Sequence, residues 1–230
     1  MTVNYYDWSA YHANVRPNKI AIRDLSVNKE LTYSELDIRS NKLAEWLQKN
    51  GVGKGDRVAI LSHNCAEFFE LEFACAKIGA IELPLNWRLT KPELEYILND
   101  SSPCVLVYEA AFLDIALELQ KDCQIKDSLQ IDNQDISSQY ESALNESDGN
   151  YESIPTNHDD LIMIMYTSGT TGHPKGAMIN HRMQLYNCIN LAAPALVSPE
   201  TVQLVVLPLF HTGGMNCYAN PVLHAGGELI

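Results

Sequence analysis

The chain has few basic residues and no long apolar run. Its 16 Lys and Arg residues stand against 29 Asp and Glu residues, which gives a formal net charge of -13. Such a charge repels nucleic acid and anionic membranes unless basic residues are clustered, and no such cluster is present. The longest apolar stretch, at 202–210, is far too short to span a bilayer, and residues 1–19 lack the apolar core of a signal peptide. The sequence therefore predicts a cytoplasmic protein that binds no nucleic acid and spans no membrane.

Paired cysteine motifs are also missing. The six cysteines, at positions 65, 75, 104, 123, 188 and 217, include no Cys-x-x-Cys pair and no histidine at metal-site spacing. Several of them, such as Cys75, have apolar neighbours in the sequence. We therefore predict free, buried cysteines and no metal bound by protein side chains. With 46% hydrophobic and 20% charged residues, the chain can bury a sizeable core.

The alternation of apolar and polar segments predicts an α/β fold with a mostly parallel sheet flanked by helices. Helices are expected at 4–14, 33–50, 67–78, 92–99, 110–121, 182–195 and from 213 onward. Strands are expected at 20–24, 30–32, 57–61, 80–84, 104–108, 128–131, 161–165, 177–179 and 203–207. The first two strands are expected to form a hairpin, and Thr32 and Glu35 have the spacing of a capping box. Residues 134–157 are polar and acidic, so we predict a surface connector there.

Residues 166–176 combine glycines, hydroxyl side chains and one lysine. They follow an apolar run at 161–165 that is short enough to be a buried strand. Bare backbone N–H groups, hydroxyl donors and a positive charge are what a polyphosphate requires. Gly169 and Gly172 are three positions apart and no Ser or Thr follows Lys175, so the segment is not a P-loop. A solvated Ser/Thr/Gly turn between strands would have a similar composition.

The full string Tyr166-Thr-Ser-Gly-Thr-Thr-Gly-His-Pro-Lys-Gly176 resembles the phosphate-binding signature of the adenylate-forming enzymes at every defined position. That family includes acyl-CoA synthetases, adenylation domains of peptide synthetases and luciferases. Residues 31–36, residues 76–89 with 95–100, and residues 208–214 resemble further family blocks in the right order. The blocks at 76–89 and 95–100 are similar to fatty-acyl-CoA synthetases in particular. The resemblance implies that residues 1–230 are the N-terminal part of the AMP-binding (adenylate-forming) domain. The C-terminal lid domain would be absent from this chain.

By resemblance, the whole enzyme would activate a fatty or other apolar carboxylic acid with ATP and Mg²⁺, releasing pyrophosphate. The acyl-adenylate would then pass its acyl group to the thiol of coenzyme A, while the 230-residue chain alone would be inactive. One alternative is an amino-acid adenylation domain. An alternative of another class is a non-catalytic nucleotide-binding or interaction module. The sequence leaves the oligomeric state open, including a homo-oligomer.

The resemblance also assigns roles to individual residues. The predicted contacts to ATP are Thr167, Ser168, Gly169, Thr170, Thr171, Gly172 and Lys175. Lys175 and His211 are the predicted catalytic residues, and His211 would position the substrate carboxylate, although a lone histidine there would ordinarily be a core or rim residue. Met215 would line the acyl pocket, with core packing as the alternative. His173 is expected to be solvated, and Trp87 and Arg88 are expected near the site without an assigned task.

Overall fold

The computed structural model describes residues 6–132, 135, 137–167 and 173–230. The helices in these ranges are α1 (Trp8–Val15), α2 (Tyr33–Lys49), α3 (Glu67–Ile78), α4 (Lys91–Ser101), α5 (Leu113–Asp122), α6 (Gln139–Asn145), α7 (His181–Ala192) and α8 (Asn220–Ala225). The strands are β1 (Ile20–Asp24), β2 (Lys29–Thr32), β3 (Arg57–Leu61), β4 (Ile81–Pro84), β5 (Val105–Glu109), β6 (Asp127–Ile131), β7 (Leu161–Thr167), β8 (Lys175–Asn180), β9 (Val202–Gln203) and β10 (Glu228–Leu229). A 3₁₀ turn (Ala110–Phe112) precedes α5, and a π-helical segment (Gly213–Ala219) precedes α8.

The strands in the described part of the chain form two sheets. The larger sheet has the strand order β6-β5-β3-β4-β7-β8, and all its neighbours run parallel except the β7–β8 pair. The smaller sheet has the order β2-β1-β10-β9, in which β1 and β2 form the expected antiparallel hairpin and the other pairs are parallel. The predicted α/β fold with a mostly parallel sheet is therefore confirmed.

The larger sheet is covered on both faces. Along β3, Val58 and Ile60 belong to a core shared with α2 and α3, whereas Ala59 and Leu61 belong to a core shared with α4 and α5. Side chains alternate between the faces of a strand, so a strand with helices on both sides is apolar throughout. This explains why the central strands read as continuous apolar runs in the sequence.

Helices α2 and α4 both begin with a capping box. The predicted box at Thr32 and Glu35 is present, and a second one joins Thr90 to Glu93. In the second box, both the backbone N–H and the hydroxyl of Thr90 donate to Oε2 of Glu93, each at 2.7 Å. Satisfying these otherwise unpaired groups fixes the start of α4 beside the end of β4.

The connector predicted at 134–157 contains helix α6, so the prediction was wrong for this part. Tyr140 is buried, and its hydroxyl donates to a carboxylate oxygen of the buried Glu70 at 2.8 Å. Arg39 donates to Glu70 at 2.7 Å and also to Glu141 of α6. Arg39 of α2 therefore compensates part of the negative charge of this segment. The local sequence does not reveal this contact.

Two further expectations need correction. The strand predicted at 203–207 is limited to Val202–Gln203, and beyond it Val205 N–H donates to the carbonyl of Ile230 at 2.8 Å. All six cysteines are free as predicted. Three of them are not buried, because Cys104 and Cys123 are only partly buried and Cys217 is exposed. Within the described ranges, no helix is both long enough and apolar enough to cross a membrane.

Two carboxyl side chains lie in the core between α3, β4, α7 and α8. Oε1 of the fully buried Glu72 accepts hydrogen bonds from the side-chain amides of Gln184 and Asn220. Glu82 is also fully buried, and neither of its carboxyl oxygens has a hydrogen-bond partner among the described residues. Burial raises the pKa of Glu72 to about 7 despite the two amide donors. Burial, with Glu72 nearby, also raises the pKa of Glu82 well above its usual range.

The Glu72→Gln variant is expected to reduce the pH dependence of folding stability. From about pH 4.5 to 7, folded Glu72 holds a proton that it releases on unfolding. Stability therefore falls as the pH rises through this window, by at most about 1.4 kcal/mol per pH unit for one proton. Glutamine keeps an oxygen for the two amides but does not titrate. Urea unfolding at pH 5, 6, 7 and 8 should show that the free energy of unfolding falls less steeply with pH in the variant than in the wild type. Some decline should remain, because Glu82 titrates in both proteins. The same pH dependence of the free energy of unfolding in both proteins would contradict the raised pKa of Glu72.

Candidate nucleotide and acid site

The predicted phosphate segment begins at the end of β7 and finishes at the start of β8. Thr167 is the last residue of β7, Lys175 is the first of β8, and the two are paired in the ladder. Both residues are exposed at the edge of the larger sheet where its parallel strands end. The five predicted contacts between them lie outside the described residues: Ser168, Gly169, Thr170, Thr171 and Gly172. The structure therefore brings together the two flanking members of the predicted set, a hydroxyl and an ammonium group.

The position of Tyr166 requires a glycine on the facing strand. Tyr166 is paired with Gly176 across the hairpin. A Cβ atom added at Gly176 would lie 2.9 Å from Cγ2 of Ile164 and 3.2 Å from Cζ of Tyr166. Glycine at this position thus allows the tyrosine ring to lie across β8. Gly176, the last residue of the signature, thus makes room for the side chain of Tyr166, its first residue.

The Tyr166 side chain also connects the hairpin to α4. Its hydroxyl donates a hydrogen bond to Oδ2 of Asp100. Burial and this bond raise the pKa of Tyr166, so the phenol remains a neutral donor at physiological pH. On the other flank of the segment, the His173 ring stacks on Tyr96 of α4, with ring centroids 4.8 Å apart and planes inclined by 19°. His173 is exposed as expected, but it is not merely solvated.

A cavity of about 570 Å³ opens beside the hairpin. Its described lining includes Asn86, Tyr96, Thr167, His173, Phe210 and His211. The volume falls within the roughly 300–1,000 Å³ range of small-molecule sites. The cavity lies where β4 and β7 end, and open α/β sheets bind ligands at the carboxyl ends of their parallel strands. Thr167 and His211 therefore face one space large enough for a substrate.

His211 has a defined hydrogen-bonding arrangement. The backbone N–H of Gly213 donates to its Nδ1 at 3.1 Å, which makes Nδ1 the acceptor of the neutral ring. The ring proton then lies on Nε2 and is available as a donor. Met215 donates its backbone N–H to the carbonyl of His211 at 3.1 Å, but its side chain is fully buried in the main core. Met215 is not among the described residues that line the cavity.

Arg88 and Trp87 lie next to this site, as expected. The Arg88 guanidinium is 4.8 Å from the centre of the Trp87 ring and 5.7 Å from the centre of the Phe210 ring. These cation–π distances place a positive charge beside the residue that precedes His211. The arrangement gives Arg88 a structural task in holding Phe210 at the cavity.

Sequence reasoning did not single out Tyr96, Asp100 or Tyr166 as part of the site. Tyr96 and Asp100 lie in the block at 95–100 that resembles the family, and they are four positions apart. On a helix this spacing places them on one face, which is the signal that could have identified them.

Together, the mostly parallel sheet, the hydroxyl- and glycine-rich hairpin and the adjoining cavity define an α/β ligand-binding domain of the kind that places its site at the sheet edge. The model of the AMP-binding enzyme family matches residues 9–230, and the chain belongs to this family. The sequence-based assignment to the N-terminal part of an adenylate-forming enzyme is thereby confirmed.

Named relatives give the same result. The chain is 34% identical to a feruloyl-CoA synthase from Amycolatopsis sp over 223 residues, covering 97% of this chain and 43% of the relative. It is 33% identical to the long-chain-fatty-acid–CoA ligase FadD13 of Mycobacterium tuberculosis over 205 residues, covering 88% of this chain and 40% of the relative. The crystal structure of ATP-bound MatB from Rhodopseudomonas palustris superposes with a TM-score of 0.86 at 29% identity, covering 99% of this chain and 45% of that chain. The chain thus spans less than half the length of these relatives.

Proposed function

We propose that the protein containing this chain is an ATP-dependent carboxylic acid–CoA ligase of the cytoplasm. It would form an acyl-adenylate with release of pyrophosphate and then transfer the acyl group to the thiol of coenzyme A. The observation that supports this best is the pairing of Thr167 with Lys175 beside a cavity lined by His211. Membership of the AMP-binding enzyme family and the two CoA-ester-forming relatives support the reaction class.

The phosphate segment would hold ATP mainly through hydrogen bonds and one charge. The hydroxyls of Thr167, Ser168, Thr170 and Thr171 would donate to the phosphates, Gly169 and Gly172 would allow close backbone approach, and Lys175 would stabilise the charge on the departing pyrophosphate. The ATP-bound relative supports ATP as the nucleotide. Mg²⁺ would enter with ATP, because Mg²⁺ in ATP-using enzymes is bound largely through the oxygens of the substrate phosphates.

His211 would orient the substrate carboxylate. Its Nδ1 accepts from Gly213, so Nε2–H is the group that would donate to a carboxylate oxygen in the cavity. Attack on the α-phosphate of ATP requires this carboxylate to be held close and in line, and such positioning supplies much of an enzyme's rate enhancement. Met215 is fully buried in the main core and does not line the described cavity, so a role for it in the acyl pocket would require the pocket to extend beyond that cavity.

The described cavity favours a simple carboxylic acid over an amino acid. Glu93 is the one carboxylate among the described lining residues, and its Oε2 already accepts both donors of Thr90. Next to Phe210, His211 offers an imidazole and not a carboxylate to a substrate ammonium group. Burying an unpaired ammonium costs several kcal/mol, so free amino acids should be poor substrates.

Pyrophosphate exchange with a panel of acids tests both the reaction and the substrate class. The protein as its gene encodes it should exchange pyrophosphate into ATP with fatty or aryl acids, at rates at least about tenfold above those with amino acids. Exchange with amino acids alone would reverse the substrate assignment. No exchange with any acid, together with no binding of ATP, would refute the ligase proposal.

Residues 1–230 alone are expected to form no acyl-CoA. More than half the length of the feruloyl-CoA synthase lies outside its match to this chain, and an acyl-transfer site needs groups on both sides of ATP. The check is thioester formation from ATP, coenzyme A and the acid panel, using purified residues 1–230. Turnover comparable to that of a full-length ligase would show that this proposal places the chemistry wrongly.

A further inference from the structure

One face of α4 holds both flanks of the phosphate segment. Tyr96 and Asp100 are four residues apart, so they lie on the same face of the helix. Asp100 accepts the hydroxyl of Tyr166, which precedes Thr167, and Tyr96 stacks on His173, which precedes Pro174. The two contacts therefore lie on opposite sides of residues 168–172 in the chain.

Helix α4 is a firm support for these contacts. Its start is fixed by the Thr90–Glu93 capping box, and its opposite face is packed into the core beneath the larger sheet through Leu94, Ile97 and Leu98. Each of these three leucine and isoleucine side chains is only 1% exposed. A helix held in this way has little freedom to shift, so side chains on its outer face can act as fixed anchor points.

We propose that Tyr96 and Asp100 are positioning residues that hold Tyr166 and His173, the two flanks of the predicted phosphate-binding segment, in place for ATP. This inference rests on the proposed function. Flanks that are already fixed lose less conformational entropy when a ligand binds beside them. The two side chains act through Tyr166 and His173, and neither needs to touch the nucleotide.

The stacked pair is expected to affect the affinity for ATP in particular. In the protein as its gene encodes it, Tyr96→Leu should raise both Kd and KM for ATP by about threefold to tenfold, the range expected for loss of one aromatic pair. The KM values for the acid and for coenzyme A, and kcat, should change by less than about twofold. Tyr96→Phe keeps the ring and should retain wild-type affinity for ATP. Tyr11→Leu, at an exposed tyrosine of α1, is the matched control and should leave ATP binding unchanged.

A double-mutant cycle links the effect to His173. If the Tyr96 ring acts by stacking, His173→Ala should weaken ATP binding to a similar degree, and the double variant should be no weaker than either single variant. Titration calorimetry with MgATP supplies the Kd values. Tyr96 and His173 are both partly exposed, so thermal unfolding should change little in either variant.

Several results would overturn the proposal. They are an unchanged Kd for ATP in Tyr96→Leu, a loss in Tyr96→Phe as large as that in Tyr96→Leu, or fully additive effects in the cycle. If the wild-type protein binds ATP and the Tyr96 variants bind equally well, this inference fails while the ligase proposal stands. If the wild-type protein does not bind ATP at all, both fail.

Discussion

Replacing Lys175 with alanine is expected to weaken adenylation by about tenfold to a hundredfold. Lys175 begins β8 opposite Thr167, is exposed, and has no ion-pair partner among the residues that the structure describes. Its ammonium group is therefore available for a phosphate. A hydrogen bond to a charged group contributes about 1.5–3 kcal/mol, which corresponds to this loss when it is made to the phosphates in the transition state.

The measurement is pyrophosphate exchange at several ATP concentrations with the full gene product. Lys175→Arg keeps the charge but changes its geometry, so it should recover part of the activity. Lys121→Ala, which removes an exposed lysine near the end of α5, is the matched control and should behave as the wild type. Unchanged ATP kinetics in Lys175→Ala would remove this residue from the proposed site.

Local sequence signals predicted most of the helices and strands because these signals act within a few residues. The capping box at Thr32 and Glu35 starts α2 where expected. Gly79 ends α3 in the left-handed conformation, with φ of 71°. Apolar runs bounded by such signals became the strands of the larger sheet. The flanks of the phosphate segment were also predictable, because the glycine and hydroxyl pattern is contiguous in the chain.

The missed features depend on contacts between distant segments. Helix α6 is stabilised by Arg39 and Glu70, about 100 and 70 positions away from their partners in the sequence. The Tyr96–His173 stack likewise joins a helix to a hairpin well beyond it in the chain. No periodicity within either segment encodes such pairs. Side-chain contacts of this kind therefore emerged only once the sheet order was known.

Replacing Gly214 with alanine is expected to destabilise the fold by about 3 kcal/mol, a large part of the roughly 5–15 kcal/mol that stabilises a typical protein. Gly214 lies in the π-helical segment that follows His211. A Cβ atom there would lie 2.3 Å from the carbonyl oxygen of Pro208 and 2.6 Å from that of Leu207. These are backbone atoms and cannot rotate away. Relief would require moving the turn that carries Phe210 and His211 to the cavity.

Gly213→Ala, at the adjacent glycine, is the matched control. Its added Cβ would meet side-chain atoms, Nδ1 of His211 at 3.3 Å and Cδ1 of Leu207 at 3.4 Å, and both side chains are exposed enough to shift. Its cost should stay below about 1 kcal/mol. Urea unfolding of both variants supplies the comparison, and activity is not needed as a readout. Equal stability of the Gly214 and Gly213 variants would mean that the 208–214 turn can relax without cost. The close approach of Gly214 to the backbone of Pro208 could then not be what fixes His211 at the cavity.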